Sequence, residues 1–402
     1  MNLCAVILLN SLALVSVCTS LNGGEEEVLT NFSIKKNYVT FRNISRAKRG
    51  SDVMSLCSNV EFKSKEVPCS VNGNYELQKK IGAGGCGAVY MGYANIENRN
   101  VAIKIAEEIA EACFTVKREA QVYKDLFFSN IGPKEAASGD IPAKEIVGIP
   151  QVFWIGKRWL WNKETYHILV METLGPDLNQ LFHKHRKHFS NKTVLMLAEQ
   201  FLNRIELLHD EGYIHRDIKP ENFLMGLGES KDTVYLADFG LAQKHNEVYK
   251  EKDGFLGTPV YASMNTHLGI SQSRRDDMES IGYVLMFFQS GSLPWYKYYT
   301  KDLKTIGKMK KRVAVEDLCK ECHEEFHIYL HYCRGLRFDE KPDYEYLRKL
   351  FKKLFYRLGH QYDWKFDWTL EALQSSRKGI LHGILDLLMV LNNTKLILNQ
   401  TE

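Results

Sequence analysis

His215-Arg216-Asp217-Ile218-Lys219-Pro220-Glu221-Asn222 concentrates an acceptor carboxylate, a cation and an amide oxygen within eight residues. Directly upstream, residues 192–210 carry Val194, Leu195, Leu197, Ala198, Phe201, Leu202, Ile205 and Leu208 on one face of a long predicted helix. Sixteen residues beyond Asn222 comes Asp238-Phe239-Gly240, behind the strand-like run Val234-Tyr235-Leu236-Ala237. Either stretch alone reads as a turn. Their order, spacing and position between a helix and a strand make them a functional constellation.

Working upstream, Gly82-Ala83-Gly84-Gly85-Cys86-Gly87 lies between two alternating runs, 75–81 and 88–93, and a third such run covers 101–105. A dinucleotide-binding loop with this glycine spacing opens a helix. Here Ala88 and Val89 continue as strand, so the glycines occupy a hairpin tip. Lacking Cβ atoms, they let backbone amides close over phosphate oxygens; an ordinary glycine turn is the competing reading of the loop in isolation. Lys104 lies inside an apolar run and needs an anionic partner there. Glu119 supplies one from the predicted helix 112–127, while the ammonium reaches phosphate. In isolation Lys104 reads as an edge-strand lysine snorkelling to water. Residues 129–147 form a loop, 152–155 and 167–171 are strand-like, and 280–290 and 344–358 have helical periodicity. A strand-rich portion of about 100 residues thus precedes a helical one, and ligands settle in clefts between such portions.

Taken in order, 82–87, 101–104, 215–222 and 238–240 resemble the eukaryotic protein kinase signature. Leu174-Gly-Pro-Asp-Leu178, residues 192–197, Ser263-Met264-Asn265, Ser273-Arg-Arg-Asp-Asp277, Gly291-Ser-Leu-Pro-Trp295 and residues 336–344 narrow the resemblance to the casein kinase 1 family. Ser263-Met264-Asn265 stands where most kinases carry Ala-Pro-Glu. The likeness runs from about Asn74 to Trp368 and implies an α+β, bilobal protein-kinase fold with a small β-rich N-lobe and a larger α-helical C-lobe. It implies transfer of the ATP γ-phosphate to Ser/Thr hydroxyls of protein substrates. By this resemblance Asp217 orients the hydroxyl and accepts its proton, and Lys219 stabilises the transferring phosphoryl. Asn222 and Asp238 hold Mg²⁺, and Lys104, locked by Glu119, positions the α- and β-phosphates. The loop from Gly82 through Ala83, Gly84, Gly85, Cys86 and Gly87 to Ala88 covers the nucleotide. Ile81, Val89 and Ala102 line the adenine slot, Met171 forms its back wall, and backbone groups of Glu172 to Leu174 bond the base. Asp277 braces the catalytic loop.

The sequence also departs from the family. Cys86 replaces an aromatic at the loop tip, the loop before Gly148-Ile149-Pro150 is longer, and the segment 241–256 is shorter. Val260 stands where the family commonly has arginine, and Lys250 is the nearest match to an anion-binding arginine. Lys297, Lys301, Lys304, Lys308, Lys310, Lys311 and Arg312 form a basic surface that favours acidic or already phosphorylated substrates, or else a solvated loop.

The 402 residues are 45% hydrophobic and 25% charged with only 9 Pro, which excludes a disordered tail, a collagen-like fibre and a small disulfide scaffold. A net charge of +4 makes no case for a nucleic-acid partner. Residues 1–20 read as a signal peptide, with an uncleaved anchor as the alternative, and 21–73 as a polar lead or pro-segment. The kinase-like domain covers 74–370, and 371–402 form an amphipathic extension that does not span a membrane. Sequons at Asn31, Asn43, Asn191, Asn392 and Asn399 fit a secretory route, and Arg46-Ala-Lys-Arg49 is either a processing site or a basic linker. Of nine Cys, Cys57 and Cys69 suit a pair; Cys319, Cys322 and Cys333 lack a fourth zinc ligand and read as free thiols. The expectation is an active Ser/Thr kinase of the secretory pathway or secreted. An ATP-binding pseudokinase module and a cytoplasmic enzyme are the alternatives.

Overall fold

Period-two patterning produces a six-stranded antiparallel sheet in the order β1-β2-β3-β4-β6-β5. Its strands are β1 (Ser70–Val71), β2 (Tyr75–Gly84), β3 (Gly87–Ala94), β4 (Arg99–Glu107), β5 (Val152–Trp159) and β6 (Thr165–Glu172). This computed structural model describes residues 70–370 apart from 85–86, 109, 111, 129–145, 160–164, 246–248, 252 and 299–302. The signal, pro-segment and processing-site readings, Cys57 and Cys69, four of the five sequons and the 371–402 extension lie outside the described residues. Ser70 and Val71 pair with Glu76 and Tyr75, so the sheet already begins ahead of Asn74.

Successive side chains in a strand face opposite ways. In β4, Val101, Ile103 and Ile105 enter a core with Tyr90, Trp154, Ile168 and Val170. Lys104 alternates with them and stands in register with Val89 on β3 and Leu169 on β6. Helix α1 (Ala112–Phe128) buries Cys113, Val116, Val122, Tyr123, Leu126 and Phe127. Glu119 falls on that buried stripe, at 1% exposure. A carboxylate placed there needs a cation.

The helical portion supplies most of a second, larger core, which also takes in Val122, Tyr123 and Phe127 of α1 with Val152 and Leu169 of the sheet. It contains α2 (Leu178–Lys184), α3 (Asn191–Asp210), α4 (Met264–His267), α5 (Arg274–Ser290), α6 (Leu303–Arg312), α7 (Val315–Leu318), α8 (Glu324–Gly335) and α9 (Tyr344–Arg357). Helix α3 is capped by Ser190, whose hydroxyl accepts from the Thr193 amide at 3.3 Å. The expected helix at 280–290 starts six residues earlier, at Arg274. The carboxylate of Asp276 reaches back to the Ser273 amide at 2.7 Å and closes the first turn. Cys113, Cys319, Cys322 and Cys333 carry free thiols. Burial pushes the Cys319 thiol up to about 12, which keeps it unreactive. No described helix is long and apolar enough to cross a membrane.

Candidate functional site

The site is assembled from β4, α1 and two short antiparallel pairs, β8 (Phe223–Met225) with β9 (Val234–Leu236) and β7 (Tyr213–Ile214) with β10 (Gln243–Lys244). Tight loops after β7 and β9 carry the two motifs. Asp238 follows β9 in the left-handed region at φ 64°, a backbone state that costs a non-glycine residue free energy and must be held by its surroundings. Here Phe239 supplies the hold. Its ring is fully buried against Tyr123 of α1 (centroids 5.2 Å) and His215 (5.6 Å), which turns Asp238 the other way.

Asp238 meets Lys104 there. The Lys104 Nζ donates to Glu119 Oε2 at 2.5 Å and to Asp238 Oδ1 at 2.9 Å, joining β4, α1 and the loop after β9. Burial pushes the Asp238 carboxyl up, but the charge and hydrogen bond of Lys104, with Lys219 and His215, outweigh it and hold the group at about 2. Burial raises the Glu119 carboxyl, with Lys104 opposing. Lys104 is therefore the cation that makes the buried Glu119 and the partly exposed Asp238 tolerable side by side.

Asp217 is held on both oxygens. Lys219 Nζ donates to Oδ2 and the Thr258 hydroxyl to Oδ1, each at 2.6 Å. Burial lowers the Lys219 ammonium, but Asp217 outweighs it and the net shift is upward, so the lysine stays charged. The Asn222 amide nitrogen donates to the Asp217 backbone carbonyl at 2.8 Å, which leaves its oxygen as the coordinating atom. An ionised Asp238 and the Asn222 oxygen are the hard oxygen donors that Mg²⁺ takes, so these residues fit that ion.

Beneath them Asp277, wholly buried on α5, accepts from the His215 amide at 2.7 Å, the Arg216 amide at 2.8 Å and His209 Nε2 at 2.9 Å. The Arg216 Nε donates to the Leu241 carbonyl at 2.8 Å and ties the first motif to the segment after the second. Gly257 lies against this loop at φ +111°, and a Cβ there would stand 2.5 Å from the Arg216 carbonyl oxygen. Gly257→Ala is expected to displace Arg216 and Asp217 together. Turnover should fall at least about tenfold with little change in nucleotide affinity, read by steady-state kinetics beside a nucleotide-binding titration.

Around the nucleotide slot, Ile81, Gly82 and Ala83 are exposed, Val89 and Ala102 are half-buried, and Ala102 pairs with Met171 across β4 and β6. Gly84 pairs with Gly87, and Ala88 with Ile105; Gly85 and Cys86 lie outside the described residues. Gly87 has φ +101°, and a Cβ there would meet the Ile105 carbonyl at 2.6 Å. The Glu172 amide donates to the Gln151 carbonyl at 2.8 Å, so a bond from Glu172 to a base must come from its carbonyl. Leu174 follows β6, half-buried.

One grouping made on sequence does not hold. Lys310 does not belong to the basic surface of its neighbours: it is 0% exposed and donates to the Pro259 and Ala262 carbonyls at 3.0 and 2.5 Å. The Tyr283 and Trp295 rings lie 4.7 and 5.1 Å from its ammonium. Its place on the amphipathic α6 turns it inward while Lys308 and Lys311 face water. Sequence reasoning also missed Thr258 on Asp217, and Glu279, whose carboxylate takes Arg334 at 3.2 Å and the Tyr283 hydroxyl at 2.5 Å. The adjacent Gly257-Thr258-Pro259 was the available signal for Thr258. Nothing local marks the other pair.

The family model described as protein kinase domain matches residues 75–354, well over half of the chain.

Proposed function

Since the chain belongs to the protein kinase family, we propose that it is an active serine/threonine kinase with a casein kinase 1-like domain, made for the secretory pathway. One observation carries the activity. Lys104 bridges Glu119 and Asp238, while Asp217, Lys219 and Asn222 are bonded into one cluster beside them. A pseudokinase module typically lacks one of the residues at positions 104, 217 and 238.

In this reading Lys104 leaves Asp238 for the α- and β-phosphates and keeps Glu119. Asp217, steered by Lys219 and Thr258, accepts the proton of the substrate hydroxyl as oxygen attacks phosphorus, and Lys219 faces the charge on the transferring group. Mg²⁺, held by Asn222 and Asp238, would neutralise phosphate charge. The β-rich portion and the helical portion act as the two lobes, with α1 packed into the larger core.

Ser263 supports the casein kinase 1 likeness. Its hydroxyl caps α4 through the Thr266 amide at 3.1 Å and donates to Asp276 at 2.5 Å, so Ser263-Met264-Asn265 performs a positioning role without Ala-Pro-Glu. A preference for acidic or phosphorylated protein substrates draws support from a cleft lined by Arg216, Lys244 and Lys250. Lys297, Lys304, Lys308, Lys311 and Arg312 add positive charge elsewhere. For the secretory route, Asn191 is not the sequon to test. Its amide nitrogen, the atom a glycan takes, already lies 3.1 Å from His323 Nε2, and its oxygen is held by Gln289 at 2.6 Å, so attachment there competes with a contact inside the fold. Glycan on Asn31 or Asn43 is the informative finding.

The deciding experiment is transfer from γ-labelled ATP with Mg²⁺ to dephosphorylated casein, followed by phosphoamino-acid analysis. Label on serine and threonine is expected. No label despite ATP binding would leave the module reading standing, and label on tyrosine would sink the specificity.

A further inference from the structure

Apart from the site described above, α7 and α8 bring together three metal-ligating side chains. Glu316 lies in the first turn of α7, and α8 carries His327 and His331. Histidines four residues apart lie one above the other on a helix face, and these rings have centroids 4.4 Å apart. Both aim the same atom at one target. His327 Nε2 stands 3.2 Å and His331 Nε2 3.1 Å from Glu316 Oε1, and the three ligand atoms all lie within 4.8 Å of one another. Ligands about 2.0–2.1 Å from a tetrahedral zinc ion stand about 3.3 Å apart. Two of the three edges already match that spacing.

We propose that Glu316, His327 and His331 bind one divalent transition ion of the zinc class, which staples α7 to α8. Two imidazoles and one carboxylate oxygen suit that class, whereas Mg²⁺ and Ca²⁺ take oxygen ligands. The side chains are 63%, 33% and 51% exposed, so water completes the coordination. An ion pair would need both imidazoles protonated, two like charges on rings 4.4 Å apart around a single carboxylate. Two neutral rings donating from Nε2 would place both hydrogens on one carboxylate oxygen. Metal binding takes the other tautomer, with both bare Nε2 atoms aimed at one point, and Zn²⁺ titration separates the two. The free thiols supply no competing cluster among the described residues: Cys319, Cys322 and Cys333 do not converge as a ligand set.

The test uses the full chain with Mg²⁺ in excess, so that the nucleotide-site carboxylates are occupied, and titrates Zn²⁺ alone by calorimetry. One equivalent is expected, with affinity at least about tenfold weaker in Glu316→Gln and in His331→Ala. Both positions are exposed, and unchanged circular dichroism would verify their folding. Equal affinity in all three proteins, or no binding by the wild type, overturns the proposal. Should a variant lose its fold, carbethoxylation of the wild type decides: Zn²⁺ protecting His327 and His331 together supports the site, and unchanged modification rates sink it.

Discussion

Asp217→Asn is expected to lower the rate of phosphate transfer by about 10²–10⁴-fold while nucleotide affinity stays at the wild-type level. The carboxylate accepts on both oxygens, from Thr258 and from Lys219 at 2.6 Å each. A carboxamide of the same size has one oxygen; kept on the Lys219 ammonium, it turns the NH₂ to Thr258, whose hydroxyl must switch from donor to acceptor. The variant thus loses the proton acceptor and presents an N–H donor where the substrate hydroxyl must be aligned. The nucleotide side of the site has its own residues, Lys104, Glu119 and Asp238, and the substitution does not reach their contacts. Kinetics on casein paired with a fluorescent-nucleotide titration separates the two halves. A variant retaining a tenth of the wild-type rate would remove Asp217 from the role of base, and loss of nucleotide binding would reassign it to the phosphates.

The largest stability effect is expected at Asp277, where alanine should cost about 3–5 kcal/mol, the range for removing one partner from a buried charged network. Three donors converge on this carboxylate: two backbone amides of the catalytic loop and the His209 ring. His209 is itself fixed, its Nδ1 lying 2.6 Å from the Tyr344 hydroxyl, and burial holds its pKa below the usual histidine value. The neutral ring therefore accepts from tyrosine on one side and donates to Asp277 on the other. Truncation strands buried amides that Asp277 had satisfied, and Arg216, already at φ 68°, loses a restraint on an unfavourable backbone state.

The pH dependence follows in sign. Burial pushes the Asp277 carboxyl up, but His209, His215 and the loop amide together bring it below its ordinary value. A carboxyl depressed by folding stabilises above its unfolded pKa, and that contribution is lost as pH falls through the folded one. Acid should therefore erode wild-type stability more steeply than that of Asp277→Ala. Urea denaturation from neutral pH downward measures both effects. A cost below about 1 kcal/mol, the size of an exposed ion pair, would show that the loop is held by something else.

The sheet and the long helices are legible in the sequence because their signals are local. The alternation over 101–105 and the apolar face of 192–210 each repeat within a few residues of themselves. Boundaries are less legible. The start of α5 rests on Asp276 reaching back to Ser273, a cap that apolar periodicity does not display.

From the chain alone came the identity and order of the reacting groups, Lys104, Glu119, Asp217, Asn222 and Asp238, since each is embedded in a short motif with its own spacing. Packing alone decided which distant partners those groups and others would meet. Thr258 reaches Asp217 across 41 residues, Glu279 finds Arg334 across 55, and His331 meets Glu316 across 15. Lys310 was drawn out of a basic run and under the backbone carbonyls of Pro259 and Ala262. No local pattern encodes such pairs, because a contact between far-separated residues is set by how amphipathic faces dock, and a polar group caught in that docking must bond to whatever it then touches.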